Sequence, residues 1–146
     1  MPDTRLVSLG YQGRSVGDLV AVLTNQSVSV LVDVRLTSLS RKPGMSKRKL
    51  SAALSEAGID YVHLPALGNP KDNRELFRTG DPRSRVRFRA LRDNRVAAQA
   101  LLHIVELLDG GTVAVVCFER DHDCCHRQLV AEAVREVKPS VELVAI

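Results

Sequence analysis

"VSVLVDV", residues 28–34, decides the fold. The run is β-branched and nearly continuous, as in a strand covered on both faces with no wet side. Such a strand belongs to a parallel sheet flanked by helices, and the neighbouring sequence supplies them. Upstream, "RLVSLG" (Arg5 to Gly10) reads as another short buried strand. Between the two, Ser15 offers an N-cap, and Val16, Leu19, Val20 and Leu23 recur at helical spacing. Downstream, Ser46 can cap a helix striped by Leu50, Ala53, Leu54 and Ala57, with Gly58 placed to end it. "IDYVHL" (59–64) is the third strand. "RVAAQALLHIVELL" (95–108) is an amphipathic helix stopped by Gly110 and Gly111, and "TVAVVCF" (112–118) is the fourth strand. "HRQLVAEAVREV" (126–137) is the last long helix and "VELVAI" the closing strand. Residues 65–94 carry Pro70, Gly80 and Pro82 and are expected to form a loop with one short helix. The alternation predicts a single α/β domain over residues 1–146. It is expected to be a three-layer sandwich around a mostly parallel, Rossmann-like sheet of about five strands.

Bulk properties narrow the setting. A chain of 146 residues that is 45% hydrophobic can bury an ordinary core. No run approaches the ~20 apolar residues of a membrane span, so no membrane partner is expected. "MPDTRLVSLG" lacks a secretory layout, and three cysteines, two of them adjacent, make a poor disulfide framework. A cytoplasmic location follows as the expectation. The net charge of +4 is unevenly spread. Residues 35–49 hold Arg35, Arg41, Lys42, Lys47, Arg48 and Lys49 with no acid, and residues 83–95 hold six arginines against Asp93 alone. Two such clusters are either solvated faces or contacts for an anionic partner, a small molecule or nucleic acid. With only 3% aromatic residues, a single-strand groove built on stacking is disfavoured.

In a parallel sheet, ligands bind outside the carboxyl ends of the strands, and the polar residues of this chain fall there. After the first strand comes "YQGR", with Tyr11 and Arg14; after the second, "DVRLTSLSRKPG", with Asp33, Arg35, Ser40 and Arg41. Tyr61 and His63 share one face of the third strand. The fourth strand runs into "CFERDHDCCHR" (117–127). Glu119, just past that strand, is a natural acid/base, or else a salt-bridge partner for a nearby arginine. Asp33 is either a second carboxylate of the site or half of a buried pair with Arg35 or Arg41. Cys125 sits at a helix start beside His126 and Arg127, a setting that favours a thiolate, and the same helix start suits an anion. A closed zinc site needs about four ligands, usually as spaced pairs. Cys124 and Cys125 are neighbours whose side chains splay apart, and Cys117 reads as a small core residue. Neither a metal nor a cofactor is expected.

With these residues in view, the chain resembles the domain-of-unknown-function 488 family over nearly its whole length. The likeness rests on "SLGYQGRS", "VDVRLTSLSRKPGMSKRKL", "LSEAGIDYVHLPALGNP" and "VAVVCFERDHDCCHRQLVAEAV". The family's last motif is a strand, Cys-x-Glu, a short acidic loop, then Cys-His-Arg opening a helix. Here it falls on Cys117, Glu119, Cys125, His126 and Arg127. The resemblance implies a compact cytoplasmic α/β domain with a polar site at its strand ends, and makes Cys124 incidental. Where the family often has a glycine after Leu-Gly, this chain has Asn69 after Leu67 and Gly68.

The leading functional expectation is an enzyme, a hydrolase or transferase, acting on a phosphate-bearing nucleotide or nucleic-acid component. Glu119 and Asp33 would be catalytic. Tyr11, Arg14, Arg35, Ser40, Arg41, Tyr61, Cys125, His126 and Arg127 would hold the substrate. A non-catalytic nucleotide or nucleic-acid binding module and a cysteine-based redox or sulfur-handling protein are the alternatives. The oligomeric state is left open.

Overall fold

The computed structural model describes residues 4–146. Five strands form one sheet: β1 (Arg5–Gly10), β2 (Val28–Asp33), β3 (Asp60–His63), β4 (Thr112–Cys117) and β5 (Glu142–Ala145). Their order is β3-β2-β4-β1-β5, and every pairing is parallel. Six helices connect them: α1 (Val16–Asn25), α2 (Lys47–Glu56), α3 (Lys71–Arg78), α4 (Pro82–Arg92), α5 (Arg95–Leu108) and α6 (Arg127–Val137).

The helices sort onto two faces because the chain changes direction across the sheet. It steps one way from β1 to β2 and β3, then the other way to β4 and β5. Right-handed crossovers therefore put α1 and α2 on one face and the later helices on the other. Strand alternation feeds both layers. Val7, Leu9, Leu31, Ala114 and Val116 pack on Leu19 and Leu23 of α1 and Leu50 and Leu54 of α2. Leu6, Val30, Val32, Val113, Val115 and Cys117 face Phe77, Phe88, Ile104, Leu129, Val130 and Val134. Full burial of a leucine or phenylalanine contributes about 1.5–3 kcal/mol, so both layers hold the sheet firmly.

Residues 65–94 differ from the sequence expectation. In place of a loop with one short helix, a 3₁₀ turn at Pro65–Leu67 leads into two helices, α3 and α4. Pro70 and Pro82 stand at helix starts, where proline is tolerated, and do not break anything. Phe77 and Phe88 meet edge to face at 6.1 Å and pin the pair to the sheet. Ser15 caps α1 with a full capping box to Asp18. Ser46 stands at the N-cap of α2 but makes no side-chain cap; its hydroxyl bonds Ser40 backbone atoms instead. No helix among the described residues is long and apolar enough to cross a membrane.

Candidate functional site

A cavity of about 230 Å³ opens over the carboxyl ends of β1, β2 and β4. Its position follows from the topology. The connection after β4 goes to one face while those after its neighbours β1 and β2 go to the other, which leaves a crevice between them. Tyr11 lines it from β1, Arg35, Leu36, Thr37 and Leu39 from β2, and Asn69, Lys71, Arg74 and Phe77 from the α3 region. The β4 loop adds Cys117, Phe118, Glu119, Cys124, Cys125 and His126. Two close approaches hold these loops together. A Cβ on Gly10 would lie 1.8 Å from the Glu119 carbonyl oxygen, and one on Gly68 would lie 2.4 Å from Leu36 Cα. Only glycine lets the backbones meet there.

The structure brings Tyr11, Arg35, Glu119, Cys125 and His126 to the cavity wall and leaves the other expected site residues away from it. Asp33 is fully buried and saturated. Arg35 donates to it through Nε (2.9 Å to Oδ1), Nη2 (2.7 Å to Oδ2) and its own backbone N (3.0 Å), and the Tyr61 hydroxyl donates at 2.5 Å. Arg35 Nη1 reaches the Met45 carbonyl at 2.6 Å. Burial works against the Arg35 charge, but the hydrogen bonds and charge of Asp33 raise its pKa above the ordinary arginine value. Burial, then the bond to Asp33, pushes the Tyr61 hydroxyl well above the usual phenol range. Arg41 is exposed, and Ser40 caps the turn to Lys42. Arg14 is buried and its Nε has no hydrogen-bond partner among the described residues; burial, then the neighbouring Arg120, lowers its pKa.

Glu119 is buried, and its Oε1 accepts from Arg78 Nε and Nη2 (3.1 and 3.0 Å) and from Arg74 Nη2 (3.5 Å). Oε2 takes no hydrogen bond among the described residues. Arg127 was expected in the pocket but is wholly buried. Its Nε donates to Ser8 Oγ (2.8 Å), and its Nη1 donates to Cys117 Sγ (2.8 Å) and the Glu119 carbonyl (2.5 Å). Ser8 Oγ thus joins Arg127, from which it accepts, to His122 Nδ1 at 2.6 Å. Arg127 is a clamp between β1, β4 and the loop.

The cysteines answer differently from their spacing. Cys124 and Cys125 do splay: Cys124 turns to Asp121, and Cys125 turns inward. Cys117 is buried as expected of a core residue, yet it lies in a cluster with Cys125 and His126, their ligand-type atoms all within 4.8 Å of one another. A spaced cysteine pair therefore exists, assembled from the end of β4 and the start of α6. His126 Nε2 donates to the Val34 carbonyl at 2.8 Å, which leaves Nδ1 as an acceptor 3.4 Å from Cys125 Sγ. Burial lowers the His126 pKa and keeps the ring neutral. Burial raises the Cys117 thiol. Cys125 is drawn down against its own burial, by the hydrogen bond from Cys117 and then by the Arg127 charge.

Lys71, Arg74 and Phe77 escaped the sequence reading because their segment read as a loop. Their i, i+3, i+6 spacing was the available signal. The model of the family described as "Domain of unknown function DUF488" matches residues 15–134. No curated protein and no solved structure matches the chain.

Proposed function

The chain belongs to the DUF488 family, and from that premise and the cavity we propose an enzyme that hydrolyses or transfers a group on a phosphate-bearing substrate, a nucleotide or nucleic-acid component. The observation that carries the reading is Glu119. One oxygen is held by two arginines, which fixes the carboxylate, while the other, at the wall of a cavity, carries no hydrogen bond among the described residues. A carboxylate so positioned is equipped to accept a proton from an attacking water or hydroxyl. Lys71 and Arg74 supply positive charge beside it, and Lys71 makes no ion pair among the described residues. Asp33 has no free valence and is left out of the chemistry. The test is Glu119→Gln, assayed against nucleotides and phosphate esters. Ligand binding should persist while turnover falls by at least the roughly 100-fold typical of a lost acid/base. Unchanged turnover in that variant refutes the assignment.

A second reading has its own support. Cys125 Sγ lies 3.4 Å from a histidine nitrogen held as an acceptor, the arrangement of an activated thiol. If thiol chemistry is the function, Cys125→Ser abolishes turnover and Glu119→Gln is the milder change.

A further inference from the structure

We propose that Cys117, Cys125 and His126 form a zinc site with its fourth coordination position open to the cavity. The three ligand atoms come from places the chain itself does not suggest: the end of β4, the residue before α6, and its immediate neighbour. They are buried and lie within 4.8 Å of one another.

The Cys125–His126 separation is that of a tetrahedron's edge, and Cys117 Sγ lies within 4.8 Å of both. Zinc–sulfur bonds of about 2.3 Å and zinc–nitrogen bonds of about 2.0–2.1 Å put sulfur and nitrogen ligands roughly 3.5 Å apart. Cys125 Sγ and His126 Nδ1 are 3.4 Å apart. The outer hydrogen bonds are also those a metal site needs. His126 Nε2 is tied to the Val34 carbonyl, which fixes the tautomer and turns Nδ1 toward the sulfurs. Arg127 offers the independent argument. It is fully buried, and its acceptors are Ser8 Oγ, Cys117 Sγ and the carbonyls of Glu119 and Arg120. Among them only the sulfur can become negatively charged, the partner that best stabilises a buried guanidinium. Binding zinc would convert the Cys117 thiol to a thiolate and so place a negative partner against this guanidinium.

Two thiolates and one imidazole are a soft set that suits zinc over magnesium or calcium. Three protein ligands and an open position make a reactive site, not a closed structural one. On binding, each thiol that ligates releases its proton to solvent, two Zn–S bonds and one Zn–N bond form, and water takes the fourth place. That water, made acidic by the ion, lies in the cavity that Glu119 also lines. This last step deepens the hydrolytic reading given above and rests on it. The binding of zinc does not.

The experiment loads the metal-free chain with zinc alone and, separately, with cobalt(II). One equivalent of zinc should bind, and cobalt should give the intense absorption of a tetrahedral ion with thiolate charge-transfer bands. Cys117→Ser and Cys125→Ser should each weaken zinc by more than about 100-fold, beyond the roughly 10–100-fold of losing an outer hydrogen-bond partner. Cys124→Ser should leave it unchanged. If the ligand variants fail to fold, the cobalt spectrum of the native chain still decides, since a weak octahedral spectrum without charge-transfer bands overturns the site. So does zinc retained in both ligand variants. Zinc bound as described in a chain without hydrolytic activity would keep the site and remove the enzyme reading. Turnover indifferent to chelator, with no zinc bound, would do the reverse.

Discussion

Two buried polar clusters stand side by side at the strand ends, and they have opposite characters. At the end of β2, Asp33, Arg35 and Tyr61 form a closed set: both carboxylate oxygens are taken, and the charges cancel at 2.7 Å. At the end of β4, Cys117, Cys125, His126 and Arg127 form an open set. Among the described residues a buried cation has no carboxylate partner there, and two sulfurs and a ring nitrogen converge beside a cavity. Both clusters look alike in the sequence, as charged or reactive residues leaving an apolar strand. Satisfied valence separates them. The closed set fixes the β2 loop in place, and the open one has capacity left for a ligand.

The sharpest way to break the contrast is to open the closed set. Arg35→Ala strands Asp33 in the interior, and urea unfolding should show a loss of about 3–5 kcal/mol. A loss below about 1 kcal/mol would mean that the Asp33 cluster is not the structural element described.

A smaller effect belongs to the open set and appears with pH. His126 is held neutral by burial, so its folded pKa lies below its unfolded value of 6.5. The unfolded chain therefore binds the proton first as pH falls. The stability contributed above that value is lost as pH drops through 6.5 toward the folded pKa. The slope attributable to this residue is at most about 1.4 kcal/mol per pH unit. Unfolding midpoints at pH 7 and pH 5 measure it, and His126→Gln should flatten the difference. An equal slope in that variant would move the effect to other groups.

The smallest effect should come from the arginine-rich helix α4, which belongs to neither cluster. Its charges are largely answered locally: Arg83 by Asp81 at 2.6 Å, Arg87 by Asp72 at 3.0 Å, Arg89 by Glu132 at 3.8 Å. Arg89→Ala should shift stability by no more than about 0.5 kcal/mol and leave phosphate-ligand affinity unchanged. A clear loss of that affinity would bring α4 into the site.

The regular elements were legible because hydrophobic period reports local burial directly. The boundaries of α5 at Arg95 and Leu108 and of β1 at Arg5 and Gly10 match the sequence reading. Helices α3 and α4 were not legible, since proline and glycine punctuate a chain whether they start helices or end them. At the site, Glu119 and Arg35 could be placed at strand ends by topology alone. What the sequence cannot carry is side-chain direction. Arg127 read as a ligand contact and turns into the core. Cys117 read as packing, and its role depends on a residue eight positions away that only the fold returns to it.

The contact at Gly10 has a bearing on how such a site can diversify. The path of the chain after β4 is set by its neighbours. Tyr11 and Gln12 amides hold the carbonyls of Cys117 and Phe118, Gly10 lets the Glu119 carbonyl close in, and Arg127 grips it from behind. None of these holds involves a side chain from 120–124. That short arc lies beside the cavity with both of its ends anchored. Apart from His122, whose ring is bonded to Ser8, its residues can be exchanged, and Cys124 among them reshapes what the cavity admits while Glu119 and Cys125 keep their places.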